Sequence, residues 1–125
     1  MSVWRQKAIA CLPESRKELE HPDSTIYDVF IDLLPAVVYA HKEKNMARLA
    51  LIYDFAEWCY SQKEKELWNA AGVGFYEHLG DYIETRESMA QWVKYDIYIE
   101  IRGLLKLRVT EQILKQLDKN YYRRV

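Results

Sequence analysis

The chain has 125 residues, which is the size of one domain with a single hydrophobic core. Half of the residues are apolar and 30% are charged, so the composition excludes an intrinsically disordered chain. The net charge of −1 gives no general attraction to nucleic acid or to an anionic membrane, and no apolar run reaches the ~18 residues of a membrane span. We therefore expect a single domain over residues 1–125 with neither a membrane nor a nucleic-acid partner.

Cysteine usage favours a reducing compartment. Cys11 and Cys59 are far apart in the sequence and have no CxxC spacing, so we expect two free thiols. The segment Met1–Leu12 has too short an apolar run for a signal peptide. Together these observations predict a cytoplasmic protein.

The first elements are predicted to be helices. Ser2–Leu12 can form a helix with Ser2 as its N-cap, and Pro13 can start a second short helix, where its missing N–H has no cost. The polar segment His21–Ser24 is expected to be a loop in which Asp23 or Ser24 caps the next helix.

Three longer apolar segments follow. Thr25–Lys44 has apolar residues at spacings of three and four, with a kink or short break expected at Pro35. Met46–Gln62, capped by Asn45, and Glu66–Leu79 are apolar around most of their circumference, which predicts that both are packed between other helices.

The glycines of this region have separate expected roles. Gly72 and Gly74 each cost about 1 kcal/mol inside a helix, which indicates a close approach of another helix there. Gly80 stands where a left-handed C-cap is expected.

The last third contains one ambiguous segment. Glu84–Trp92 is predicted to be a helix with Thr85 as a candidate cap. Val93–Arg102 alternates between apolar and polar residues, a strand pattern, but no second strand exists to pair with it. We predict a helix there, with a possible break near Gly103. A final helix is predicted over Lys106–Tyr121, and the basic, aromatic end, Tyr121, Tyr122, Arg123 and Arg124, is expected to be solvated.

These elements predict an all-α fold. Six or seven helices are expected, joined by short turns into antiparallel hairpins, in an irregular bundle or a small HEAT-like stack. No sequence repeat supports a regular solenoid.

No residue pattern indicates catalysis, a cofactor or a metal. Glu77 and His78 are adjacent on a helix and point about 100° apart, so they do not share an ion easily. Gly72-Val73-Gly74 lacks the third glycine and the preceding strand of a dinucleotide-binding motif. Cys59 is expected on an apolar face, where a thiol is inert. We expect a protein that is not an enzyme and has no catalytic residue, bound cofactor or metal.

Two runs carry a family resemblance. Ile52, Tyr53, Asp54, Phe55, Ala56, Glu57 and Trp58 match the pattern I-x-D-F-x-E-W, and Asn69–Leu79 matches N-A-x-x-x-x-F-x-E-x-L. Both resemble an uncharacterised bacterial family of helical proteins, over about Cys11–Trp92. Small bacterial proteins of this kind look like immunity proteins of polymorphic toxin systems, which implies inhibition by binding and no catalytic residues to transfer.

The predicted function is therefore protein binding. The first hypothesis is an immunity protein that binds and neutralises a cognate bacterial toxin, and the second is a helical scaffold, adaptor or self-associating protein. Exposed aromatic side chains beside carboxylates are typical of interfaces, which makes Tyr82, Glu84, Glu87 and Trp92 the candidate partner-binding residues. The partner is expected to be another protein, such as a toxin domain or a second copy of the chain, bound outside the two motif helices.

Overall fold

A computed structural model describes residues 1–122, and within them every regular element is helical. Eight α-helices are present where six or seven were predicted. Their bounds are α1 Val3–Cys11, α2 Arg16–Leu19, α3 Ile26–Lys42, α4 Met46–Tyr60, α5 Lys65–Gly74, α6 Ile83–Trp92, α7 Tyr95–Lys106 and α8 Glu111–Tyr122. Short 3-10 turns occupy Pro13–Ser15 and Tyr76–His78. The short helix predicted to start at Pro13 is a 3-10 turn followed by the one-turn helix α2.

Local sequence signals account for several helix starts. The Ser2 hydroxyl accepts a hydrogen bond from the Arg5 backbone N–H, and the Asn45 side chain accepts one from Arg48, so both predicted caps are confirmed. The prediction that Asp23 or Ser24 caps α3 was wrong. Thr25 caps that helix in a reciprocal box with Asp28.

The break expected at Pro35 is absent, because α3 continues through it. Pro35 and Ile31, the residue four positions before it, are both exposed. The Ile31 carbonyl, which loses its hydrogen bond, therefore lies on the side of the helix that is open to water.

The predicted helix Glu66–Leu79 ends early. α5 stops at Gly74, and Phe75 leaves helical geometry with φ −128° and ψ −71° before the 3-10 turn. This change of direction places Phe75, Tyr76 and Leu79 in the core, each at most 2% exposed. Burial of these three large side chains outweighs continuation of the helix.

The centre of the fold is formed by α3, α4 and α5, which contact one another. A chain of aromatic contacts joins these helices. Phe30 stacks on Phe55 and makes a tilted contact with Phe75, which meets Tyr53 edge-on, with ring centroids 5.8–5.9 Å apart in each pair. α1 packs on α4, α6 packs on α3 and α8, and α7 packs on α5 and α8. Because α3 also contacts α1 and α6, the contacts extend beyond chain neighbours, and the molecule is a helical bundle.

Gly80 has a different role from the one predicted. None of the glycines in residues 1–122 has a positive φ, so Gly80 forms no left-handed cap. A Cβ at this position would lie 2.7 Å from Cγ1 of Val109, which shows that Gly80 is needed for close packing. The close approach expected at Gly74 is confirmed, since a Cβ there would lie 3.1 Å from Cβ of Phe30.

The alternating segment is helical, as predicted, and α7 continues unbroken through Gly103. Residues two apart on a helix are rotated by about 200° around its axis. Apolar residues at every second position therefore lie on two opposite sides of the helix. Ile97 and Ile101 are buried, whereas Tyr95 and Ile99 are more than half exposed. The strand-like pattern therefore comes from a helix with two apolar sides, of which the fold covers one.

The last helix begins later than predicted, at Glu111, with the Thr110 hydroxyl accepting a hydrogen bond from the Ile113 backbone N–H. Tyr121, expected in a solvated end, is only 3% exposed. Its hydroxyl donates a shared hydrogen bond to the backbone carbonyls of Met89 and Val93. The other tail residues with a predicted role, Arg123 and Arg124, lie outside the described residues. Among the helices of residues 1–122, none has the length and apolar character required to cross a membrane.

Candidate functional site

The four candidate residues of α6 and the turn before it do not form one cluster. Glu84 faces α3, with its carboxylate 3.8 Å from the Lys42 ammonium. Trp92 is half-buried, and its ring stacks on Tyr53 of α4 at 5.3 Å between centroids. Trp92 therefore contributes to packing of α6 against the central helices.

Glu87 and Tyr82, the other two candidates, do not contact α3 or α4 in this way. Glu87 lines a small groove of about 330 Å³ between α6 and α8. Tyr82 precedes α6 and is 40% exposed. The four residues thus face different neighbouring elements, and their part in partner binding stays a prediction.

A larger cleft lies between α4 and α7, with α1 at its edge. It has a volume of about 730 Å³, and we call it the acidic cleft. It is lined by Lys7, Asp54, Glu57, Trp58, Tyr60, Ser61, Lys94, Asp96, Ile97 and Glu100. Four carboxylates face two ammonium groups, so the local charge is negative although the whole chain is nearly neutral.

Hydrogen bonds and ion pairs hold part of the cleft in place. The Tyr60 hydroxyl donates to Glu100 at 2.6 Å and links α4 to α7. Burial, reinforced by that carboxylate, raises the pKa of Tyr60 to about 12, so the phenol remains a donor at neutral pH. Lys94 pairs with Glu57 at 3.0 Å, and Lys7 lies 5.1 Å from the centre of the Trp58 ring.

Two carboxylates of the cleft have neither a salt bridge nor a hydrogen bond to another side chain among residues 1–122, whereas Glu57 pairs with Lys94 and Glu100 accepts from Tyr60. Asp54 is exposed and forms neither a salt bridge nor a side-chain hydrogen bond there. Asp96 accepts a hydrogen bond only from the Ile97 backbone N–H. These two groups remain available to an external cation, beside the half-buried rings of Trp58 and Tyr60.

A second surface lies between α7 and α8. It is a mainly apolar groove of about 590 Å³, and we call it the tyrosine groove. Its lining residues are Tyr95, Tyr98, Ile99, Arg102, Asp118, Tyr121 and Tyr122.

The floor of the tyrosine groove is rigid. The rings of Tyr98 and Tyr121 stack with centroids 4.0 Å apart. The Tyr98 hydroxyl donates to Asp118 at 2.6 Å, and Arg102 donates two hydrogen bonds to the same carboxylate. The Arg102 guanidinium holds the pKa of Asp118 below its usual value, so this network is charged at neutral pH.

Both surfaces involve residues that the sequence analysis did not select. The alternation of α7 contained the signal, because a helix with two apolar sides exposes one of them unless two neighbours cover it. The acidic cleft also includes Asp54, Glu57 and Trp58 of the first motif, although the sequence analysis expected the partner to bind outside the two motif helices. Ile52 and Phe55 of that motif are indeed buried, so the motif helix serves both the core and the cleft.

The two cysteine side chains offer little reactivity. Cys11 and Cys59 are free and buried, and burial raises the pKa of these thiols to about 11 and about 12. Both are therefore protonated at neutral pH and weak as nucleophiles. Within residues 1–122, no three His, Cys, Asp or Glu side chains converge to hold a metal ion.

Comparison with known proteins gives one family. A family model described as a domain of unknown function, DUF7674, matches residues 5–108. The chain belongs to this family. The chain has no match among curated proteins, and none among solved structures.

The DUF7674 match contains one surface fully and the other in part. All residues that line the acidic cleft lie within 5–108. The tyrosine groove takes Asp118, Tyr121 and Tyr122 from α8, beyond the matched region. The acidic cleft is therefore built by the family domain alone.

Proposed function

We propose that this chain is a non-catalytic binding module that neutralises a bacterial toxin, in the manner of an immunity protein. The acidic cleft is the observation that carries the proposal. Unpaired carboxylates beside aromatic rings suit a positively charged protein surface, because charge speeds the encounter and aromatic side chains contribute contact energy. Toxin domains that bind nucleic acids have positively charged surfaces, because the phosphate backbone that they contact is negatively charged.

The cytoplasm is the proposed location. Two free, buried thiols support this, because disulfides are uncommon in a reducing compartment. An inhibitor in the cytoplasm meets a toxin where the toxin would act on the producing cell.

Co-expression in a bacterial host with the toxic product of a neighbouring gene tests the proposal. Wild-type protein is expected to form a complex and restore growth. A double charge reversal in the cleft, D54K with D96K, is expected to weaken binding at least about tenfold and to abolish rescue. If the wild-type protein gives neither a complex nor rescue, the immunity proposal is wrong.

A control variant separates local charge from net charge. D32K with E43K changes the net charge by the same amount at exposed positions of α3 and its C-cap, outside the acidic cleft. This control is expected to bind and rescue like the wild type. Equal loss in both double variants would contradict the assignment of binding to the cleft.

Self-association as a scaffold is the second candidate function. The exposed apolar side chains of the tyrosine groove favour it, since Tyr95, Ile99 and Tyr122 are 52%, 53% and 85% exposed. Sedimentation equilibrium over a range of concentrations tests it. A dimer that persists at micromolar concentration would support this function, and a monomer would exclude it.

A further inference from the structure

The outer side of α7 is an unpartnered helix face between the two surfaces. Six exposed residues form this face, which we call the α7 face: Tyr95, Asp96, Ile99, Glu100, Gly103 and, at its C-terminal end, Lys106. Residues four apart lie above one another on a helix, so the apolar pair follows one edge and the acidic pair follows the other. The apolar edge lines the tyrosine groove, and the acidic edge lines the acidic cleft.

Neither backbone geometry nor packing within the fold requires glycine at position 103 of this face. Gly103 lies inside α7 with no positive φ, and glycine there is less favourable for the helix than alanine. A Cβ at this position would meet nothing within 4 Å among the described residues. Gly74 and Gly80, in contrast, each face a neighbouring side chain at 3.1 Å or less. The fold explains those glycines by packing, whereas it leaves Gly103 open.

A helical glycine on an exposed face allows another backbone to approach closely. Small residues at helix crossings permit short interaxial distances because no side chain separates the two backbones. The tyrosine groove beside Gly103 is rigid before any partner arrives, so little conformational entropy is lost when it is filled.

We propose that the α7 face receives an α-helix of a basic protein partner, which crosses α7 at Gly103. Basic side chains of that helix lie against Asp96 and Glu100, and an apolar side chain enters the tyrosine groove. This inference rests on the proposed function and names the form of the partner that the protein neutralises.

A second copy of α7 fits the same face less well. If two copies crossed in parallel about a two-fold axis, Asp96 would face its own copy, and like charges repel. If they crossed antiparallel about Gly103, helix geometry would bring Glu100 opposite Leu107, a side chain that is 78% exposed. Lys106 would then lie near Glu100, but neither arrangement brings a cation to Asp96, whereas a basic helix pairs both carboxylates.

Two synthetic 21-residue helical peptides serve as probes, one of Leu and Lys in an amphipathic pattern and one with Glu in place of every Lys. The first is expected to bind, to shift the backbone amide signals of residues 95–103 in ¹⁵N NMR spectra, and to weaken as salt increases. The Glu peptide is expected to bind at least about tenfold more weakly. Equal binding of both peptides, or shifts that lie elsewhere, would overturn the proposal.

The variant G103L tests the crossing point. Leucine has open space at this position and a higher helix propensity, so the variant is expected to melt at a higher temperature than the wild type. It is nevertheless expected to bind the Leu/Lys peptide at least about fivefold more weakly, because the side chain separates the two helices. A47L, at an exposed position of α4, is the matched control and is expected to bind as the wild type does. If G103L binds as well as the wild type, the inference is wrong.

The two proposals fail in different experiments. If wild-type protein restores growth and G103L binds the co-expressed toxin as tightly as the wild type does, the α7 face is excluded and the immunity function stands. If the Leu/Lys peptide binds at residues 95–103 but wild-type protein never restores growth, the face is supported and the immunity function is rejected. A wild-type dimer in sedimentation that G103L abolishes would replace the partner helix by a second copy and overturn the inference.

Discussion

His41 shows how burial and hydrogen bonding act together at a single residue. Its Nε2 lies 2.7 Å from the hydroxyl of Tyr53, which burial keeps protonated by raising its pKa. The Tyr53 hydroxyl therefore donates to neutral His41. Burial lowers the pKa of His41 below its ordinary value of 6.5, although the nearby Glu84 opposes this.

This geometry predicts a loss of stability in mild acid. The folded pKa of His41 lies below the unfolded one, so the unfolded chain binds more protons between the two values, and stability falls as pH decreases below about 6.5. The slope from one such group cannot exceed about 1.4 kcal/mol per pH unit. Glu84 is the charged group that acts on His41, and its carboxylate also pairs with Lys42.

Urea unfolding at pH 7.5 and pH 5 measures the effect. H41Q removes the titrating ring and is expected to lose less stability than the wild type over this range. The pKa values of Asp81 and Asp118 are lowered by their arginine partners, so these carboxylates affect stability only in stronger acid. Equal pH dependence of H41Q and wild type would contradict the role of His41.

Gly80 gives a second prediction at the residue scale. G80A is expected to destabilise the protein by about 1–3 kcal/mol, because the added methyl meets the stiff, β-branched side chain of Val109. G72A is the control, since its Cβ would have an ordinary contact of 3.8 Å with Leu104. Guanidinium unfolding of both variants is the measurement, and a G80A variant as stable as the wild type would disprove the packing role.

At the scale of elements, α8 is attached to α6 through a polar contact as well as an apolar one. The last carbonyls of a helix have no partner within it. The Tyr121 hydroxyl reaches the carbonyls of Met89 and Val93, 3.1 and 2.8 Å away, and its ring stacks on Tyr98. One side chain of α8 therefore caps α6 and packs against α7.

Removal of the Tyr121 hydroxyl is expected to lower the free energy of unfolding by about 1–2 kcal/mol. Y121F keeps the ring but leaves the buried carbonyl of Val93 without its hydrogen bond. Y122F is the matched control, because Tyr122 is 85% exposed and is expected to tolerate the change. Thermal and urea unfolding compare the two variants, and equal stability of both would remove the capping role.

Element prediction worked where local signals agreed with packing. The caps of α1 and α4 and the helical state of α7 were predictable, since they depend on side chains close in sequence. The early end of α5 was not predictable, because Phe75 turns inward to meet Phe30, a residue far away in the chain.

At the scale of the whole molecule, the family match and the folded unit do not have the same limits. The match ends at Arg108, before α8, yet Leu114, Leu117 and Tyr121 are at most 5% exposed. α8 packs on both α6 and α7, so it closes the core at that end of the bundle. The stable unit therefore extends beyond the matched region.

A chain truncated after Arg108 tests this difference. Loss of α8 exposes the apolar surfaces that it covers on α6 and α7, so the truncated protein is expected to unfold at a much lower denaturant concentration, or without a cooperative transition. Circular dichroism during guanidinium unfolding is the measurement, with the full chain as reference. An unchanged midpoint would mean that α8 is not part of the core.

The sequence by itself determined the fold class and the approximate position of most helices, because hydrophobic period and capping residues act over one or two turns. The family match over residues 5–108 also comes from the sequence alone. Only the tertiary structure decided which surfaces come together. Asp54 and Asp96 lie 42 residues apart and share a cleft because α4 and α7 are neighbours in the bundle. Gly103 is exposed because no neighbouring helix of residues 1–122 covers that side of α7. Which neighbour covers a helix is decided by the tertiary packing, and no local sequence pattern specifies it.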